Sequence, residues 1–184
     1  LPAIESLITS RMKMSGQSCM STTHVFVNKD LLRQFIQTME TELATLHVGD
    51  PLEETTHLGP VMTRQEYDYL INLAQEIQAQ SDTQEIAIGG KSMKRKGWFF
   101  HPTVIIAKTG IQPEISGPVI IVHPFSTDSE LKQKYGDLTY TTVTQWQNTQ
   151  STPYRALLSA QKTLFNQPLP DFPYYLDSTD DELV

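Results

Sequence analysis

Val119-Ile120-Ile121-Val122 sets four β-branched residues in a row, with no polar residue among them to face water. A strand with one solvated face alternates apolar and polar residues. An unbroken run fits a strand covered on both faces, the situation of a parallel sheet lying between helices. Working outward, shorter runs of the same character precede it. His24-Val25-Phe26-Val27 reads as a buried strand, and residues 85–88 alternate into a Gly89-Gly90 turn. Residues 98–100 and 103–107 are extended and apolar, separated by Pro102. Residues 138–144 and 162–166 continue the series toward the carboxyl end.

Between these runs lie stripes with helical spacing. Ile4, Leu7, Ile8 and Met12 predict a helix that stops near Ser15-Gly16. Leu31, Leu32, Phe35, Ile36, Met39, Leu43 and Leu46 step by three and four, with Asp30 placed to cap that helix after the Asn28-Lys29 turn. Thr63 and Glu66 have the spacing of a capping box ahead of Tyr67, Leu70, Ile71, Ala74 and Ile77. Thr127 and Glu130 repeat that spacing ahead of a short helix ending at Tyr135-Gly136. Pro153 suits the first position of a helix carrying Ala156, Leu157, Leu158 and Ala160. Residues 47–60 form a loop marked by Gly49-Asp50-Pro51 and Gly59-Pro60. Pro168, Pro170 and Pro173 bar a regular helix beyond it all. Strands alternating with helices imply an α/β domain with a largely parallel sheet covered by helices.

Composition narrows the function. The 184 residues suffice for one domain with a sizeable core. A net charge of −7 disfavours nucleic-acid binding, which needs clustered Lys and Arg. The one basic cluster, residues 91–96, reads as a solvated turn, and the acidic residues 177–182 as a tail. No apolar stretch approaches the ~20 residues that span a bilayer, and no secretory signal is seen. Five scattered histidines, with no pair at helical spacing and no cysteine cluster, give no metal site. A single cysteine cannot form an internal disulfide, which favours a reducing, cytoplasmic setting.

That cysteine, Cys19, follows Ser15-Gly16-Gln17-Ser18, between the first helix and the strand at His24. A thiol on a glycine-containing turn between two such elements can open onto a cleft and act as a nucleophile. The alternative is a small buried hydrophobe. His24 lies close enough in sequence to be imagined as its base, although a packed, hydrogen-bonded role suits it better.

Several stretches belong together: Ser15-Gly16-Gln17-Ser18-Cys19, His24-Val25-Phe26-Val27-Asn28 and Val48-Gly49-Asp50-Pro51-Leu52. Leu58-Gly59-Pro60, Gly89-Gly90-Lys91, residues 97–104 and Pro113-Glu114-Ile115-Ser116-Gly117-Pro118-Val119 follow. In this order they resemble the catalytic domain of the aldehyde dehydrogenase superfamily. The likeness is clear over residues 1–125 and faint over 126–184. It implies that Cys19 attacks an aldehyde carbonyl to give a thiohemiacetal. Hydride transfer to NAD or NADP then leaves a thioester, which water releases as a carboxylic acid. It implies that the backbone N–H of Cys19 helps hold the developing oxyanion. It also implies that Glu114 grips the nicotinamide ribose; without the resemblance Glu114 reads as a solvent-facing loop acid.

The departures bear on activity. The family's dinucleotide-binding domain, general-base glutamate and oxyanion asparagine belong upstream of the cysteine, and residues 1–18 contain none of them. Ser116 stands where the family has an aromatic residue, and the glycine-rich segment expected near the carboxyl end is missing. The sequence therefore reads as one catalytic-domain module, truncated from its cofactor domain, inactive alone and binding no NAD or NADP by itself. Self-association or association with a cofactor-binding domain would cover the apolar surface so exposed. Two other readings stay open: a non-catalytic interaction module that keeps the fold, and a cofactor-free thiol esterase using Cys19.

Overall fold

The computed structural model describes residues 2–19, 21–79, 82–109 and 115–135, with two further strands at 139–145 and 159–165. Helix α1 (Pro2–Met12) leads through a tight turn to strand β1 (His24–Asn28) and helix α2 (Lys29–Ala44). Helix α3 (Arg64–Ala79) and strands β2 (Gln84–Ile88), β3 (Thr103–Ala107) and β4 (Val119–Phe125) follow. Helix α4 (Asp128–Tyr135), then β5 (Thr139–Gln145) and β6 (Ser159–Phe165), complete the described elements.

The main sheet has the order β1-β4-β3-β2. β4 runs parallel to both β1 and β3, with Ile121 level with His24 on one side and Ile105 on the other. β2 closes the sheet antiparallel to β3, with an irregularity between Ile86 and Ile88. β5 and β6 form a separate parallel pair. The fold is α/β with a largely parallel sheet, as the alternation of elements implies.

The run at residues 119–122 is buried on both faces, and its two faces feed two cores. Ile120 and Val122 pack with Val27 and Val104 against α1 and α2, through Ile4, Leu7, Ile8, Met39 and Leu43. Val119 and Ile121 pack with Ile105 and Phe100 against α3, through Leu70, Ala74 and Ile77. Alternation along the strand assigns each side chain its layer. Truncating such a residue costs about 2–5 kcal/mol, so β4 anchors both layers.

The capping box at Thr63 forms in full, and the one at Thr127 forms on the threonine side, Glu130 Oε2 accepting instead from the Ser126 N–H. Thr63 Oγ1 accepts from the Glu66 N–H (3.2 Å), and Glu66 Oε2 accepts in return from the Thr63 N–H (3.2 Å). Thr127 Oγ1 accepts from the Glu130 N–H (3.1 Å). At α2 the cap is Asn28 rather than Asp30. Its side chain accepts from the Asp30 N–H (2.9 Å), because the strand runs straight into the helix and leaves Asn28 the last extended residue. Leu46 lies past the end of α2 but still packs on the core. Residues 98–100 form no strand; only Phe100 bridges, to Ser92. β4 runs three residues beyond Val122 despite Pro124. β3 pairs only as far as Val122, so the missing N–H of Pro124 falls where no β3 partner stands. Ala160 lies in β6 rather than in a helix, since a stripe of five residues is too short to fix a period. The remainder of that expected helix, the 168–173 prolines and the acidic tail lie outside the described residues.

Candidate active site at the amino ends of β1 and β4

Neighbouring parallel strands bring the loops that precede them side by side. β1 and β4 are neighbours, so the turn before β1, with Cys19, meets the loop before β4, with Ser116-Gly117-Pro118. The Gly117 N–H donates to the Gly16 carbonyl (3.1 Å). A Cβ on Gly16 would fall inside the radius of the Gly117 carbonyl oxygen, so the two backbones touch where only glycine fits.

The turn is held on its other side by residues 59–62. Ser15 Oγ–H donates to the Gly59 carbonyl (2.9 Å), and Gln17 Oε1 accepts from the Met62 N–H (2.6 Å). Met14, Ser15 and Gly16 are all left-handed, at φ 51°, 56° and 71°. Two of them lack glycine's freedom, so the backbone stores strain in the turn that leads to Cys19. Cys19 itself is exposed, not packed in the core, which removes the buried-hydrophobe alternative. Three of the stretches that carry the resemblance thus converge on one turn. Glu114 lies outside the described residues; the loop that follows it is anchored by Ser116 Oγ–H, which donates to Glu66 Oε1 (3.1 Å).

His24 is engaged elsewhere. Its Nδ1 lies 3.0 Å from Nε2 of His123, whose ring is fully buried against Phe26 and Tyr135. His123 Nδ1 has no hydrogen-bond partner among the described residues. A bare ring lone pair costs less to bury than a bare N–H, which favours the tautomer in which His123 donates from Nε2 to His24. Burial, with the charge of His24 adding to it, pushes His123 down to about 4.

Arg11, in the last turn of α1, was no sequence candidate, yet it is buried at the meeting point of both loops. Its Nε donates to the Val119 carbonyl (2.7 Å) and its Nη1 to Ser21 Oγ (2.6 Å) and Thr23 Oγ1 (3.0 Å). Its Nη2 donates to the Ile115 carbonyl. The signal was its position: residue 11 continues the stripe of Ile4, Leu7 and Ile8. No group of three potential metal-ligating side chains occurs among the described residues, and no described helix is long and apolar enough to cross a membrane.

The sequence model of the aldehyde dehydrogenase family matches residues 2–145. The chain belongs to the aldehyde dehydrogenase family. Among family relatives, a betaine aldehyde dehydrogenase of Brucella anthropi is 31% identical over 143 residues, covering 73% of this chain and 29% of that protein. An NADP-specified succinate-semialdehyde dehydrogenase of Mycobacterium tuberculosis is 33% identical over 124 residues, covering 65% and 27% respectively. An aldehyde dehydrogenase of Bacillus cereus, solved in complex with NAD+, shares the fold at a TM-score of 0.80 and 22% identity. That alignment covers 92% of this chain and 36% of the Bacillus cereus chain. The chain thus spans under a third of the length of the curated family members it matches.

Proposed function

We propose that residues 1–184 are a catalytic-domain module of an NAD(P)-dependent aldehyde dehydrogenase, with Cys19 as nucleophile and Glu114 as the ligand of the nicotinamide ribose. The observation that supports it most is the backbone contact between Gly16 and Gly117, in a chain of this family. It ties an exposed thiol to the loop that follows Glu114.

The Cys19 thiolate adds to the aldehyde carbon, and the carbonyl oxygen takes up the charge as the C–S bond forms. The backbone N–H of Cys19 donates to that oxygen. In this reading the Glu114 carboxylate accepts from both ribose hydroxyls, and support comes from the residues after it, since Gly117 is bonded to Gly16 of the thiol turn and Ser116 to Glu66. When bound, the cofactor supplies the acceptor for the aldehyde hydrogen and its electron pair. Cys19 keeps the acyl group as a thioester until water cleaves the C–S bond, releasing the acid and restoring the thiolate. The cofactor phosphates require a dinucleotide-binding unit beyond residues 1–184, so the isolated module is inactive. A thiol that must stay reduced to act suits the cytoplasm.

The test is aldehyde-dependent reduction of NAD(P)+ by the intact protein, with Cys19→Ala as control. Cys19→Ala is expected to lower turnover about a thousandfold or more. Equal turnover in the variant would overturn the reading. Ester hydrolysis that needs Cys19 but no cofactor would mark a thiol esterase instead. No Cys19-dependent turnover of any kind would mark an interaction module.

A further inference from the structure

We propose that Arg11 is a positioning residue for the Cys19 nucleophile, acting through the hydroxyl of Ser21. The inference rests on the reading of Cys19 given above and extends it to how the thiol is aimed.

Cys19 is the second residue of a turn closed by the Ser21 N–H donating to the Ser18 carbonyl (3.1 Å). The same carbonyl accepts from Ser21 Oγ–H (2.7 Å), so the hydroxyl closes the turn a second time. A hydroxyl that spends its proton on Ser18 still has lone pairs, and Arg11 Nη1 donates into one of them. The chain of bonds runs from guanidinium to hydroxyl to the carbonyl just before Cys19. Each bond polarises the next, so the turn is stiffer than either bond would make it alone.

The other arms of the fork set the frame. Nε and Nη2 donate to the Val119 and Ile115 carbonyls, which bracket Ser116-Gly117-Pro118. One planar group therefore fixes the cysteine turn against the loop that touches it at Gly16. A lysine cannot do the same, because its ammonium offers three donors at one point, whereas the Arg11 guanidinium spreads its donors across a plane to Val119, Ser21, Thr23 and Ile115 among the described residues. A buried guanidinium is a costly way to close a helix, and its bonds to both loops give that burial a role at the site.

The experiment uses the intact protein with Ser21→Ala, Ser21→Thr, Arg11→Lys and the Arg11→Lys/Ser21→Ala double variant. Melting midpoints, kcat and KM for aldehyde oxidation are measured for each. Ser21→Ala leaves Arg11 its bonds to Thr23, Ile115 and Val119, so it is expected to melt near the parent. Its kcat is expected to fall between about tenfold and a hundredfold with KM little changed, because the nucleophile is misplaced rather than the substrate lost. Ser21→Thr, which keeps a hydroxyl, is expected to restore most of kcat. The double variant is expected to be no slower than the slower single, since both changes break one relay. Parental kcat in Ser21→Ala, no rescue by threonine, or single effects that multiply in the double variant would overturn the proposal. Failure of the underlying reading shows separately, as full turnover in Cys19→Ala.

Discussion

Met14 occupies left-handed backbone with an exposed side chain, so its contribution to packing is small and its strain is not offset there. Met14→Asn is expected to stabilise the protein by about 1 kcal/mol, since asparagine tolerates this conformation. The denaturant midpoint checks it; an unchanged or lower midpoint would mean that the turn is held by its hydrogen bonds at no backbone cost. Gly16→Ala is expected to do the reverse. Its Cβ meets the Gly117 carbonyl, so a loss of about 3 kcal/mol or more and a displaced Cys19 turn are expected. Chemical denaturation, with the rate of Cys19 alkylation in the folded variant, reads both effects. Gly16 and Cys19 stood out in the sequence because glycine and a lone thiol are unusual in themselves. Arg11 did not, because a cation on an apolar stripe reads as a surface residue until the loops that receive its donors are known.

At the scale of elements, β1 and β4 are joined beyond their ladder by the His24–His123 pair, walled by Phe26 from β1 and Tyr135 from α4. His123 titrates near 6.5 in the unfolded chain and near 4 in the folded one. Between these values the unfolded state binds the extra proton, so this contribution is complete above the unfolded value and is lost as pH falls toward 4. The loss amounts to up to about 3 kcal/mol. Denaturation midpoints measured across that window are expected to fall more steeply for the parent than for His123→Leu; parallel slopes would contradict it. Helices α1 to α4 were legible because capping boxes and stripes of three and four are local signals, whereas the stripe ending at Ala160 misled, that residue lying in β6. The three residues of β4 past Val122, and the cap at Asn28, were not legible. Both depend on which strand lies alongside, which no local pattern encodes.

At the scale of the whole molecule, strand order decides where chemistry can occur. Ligands of open α/β sheets usually sit beyond the carboxyl ends of the strands. Here three of the family stretches converge at the amino ends of β1 and β4, because the loops before those strands touch at Gly16 and Gly117 and are both bonded by Arg11 of α1. The α/β class and the sheet's largely parallel character followed from the alternation of strands and helices, and the β-branched run at 119–122 marked the strand buried on both faces. The adjacency of β1 and β4, which brings positions 16 and 117 together, did not follow from any residue pattern. It is a property of topology. The most direct measurement is the mass of the Cys19 peptide after the intact protein is mixed with an aldehyde and NAD(P)+ and quenched in acid during turnover. The expected result is a gain of the acyl group on Cys19 that disappears when the cofactor is left out. Carboxylic acid formed at full rate while the Cys19 peptide never carries the acyl mass would contradict it.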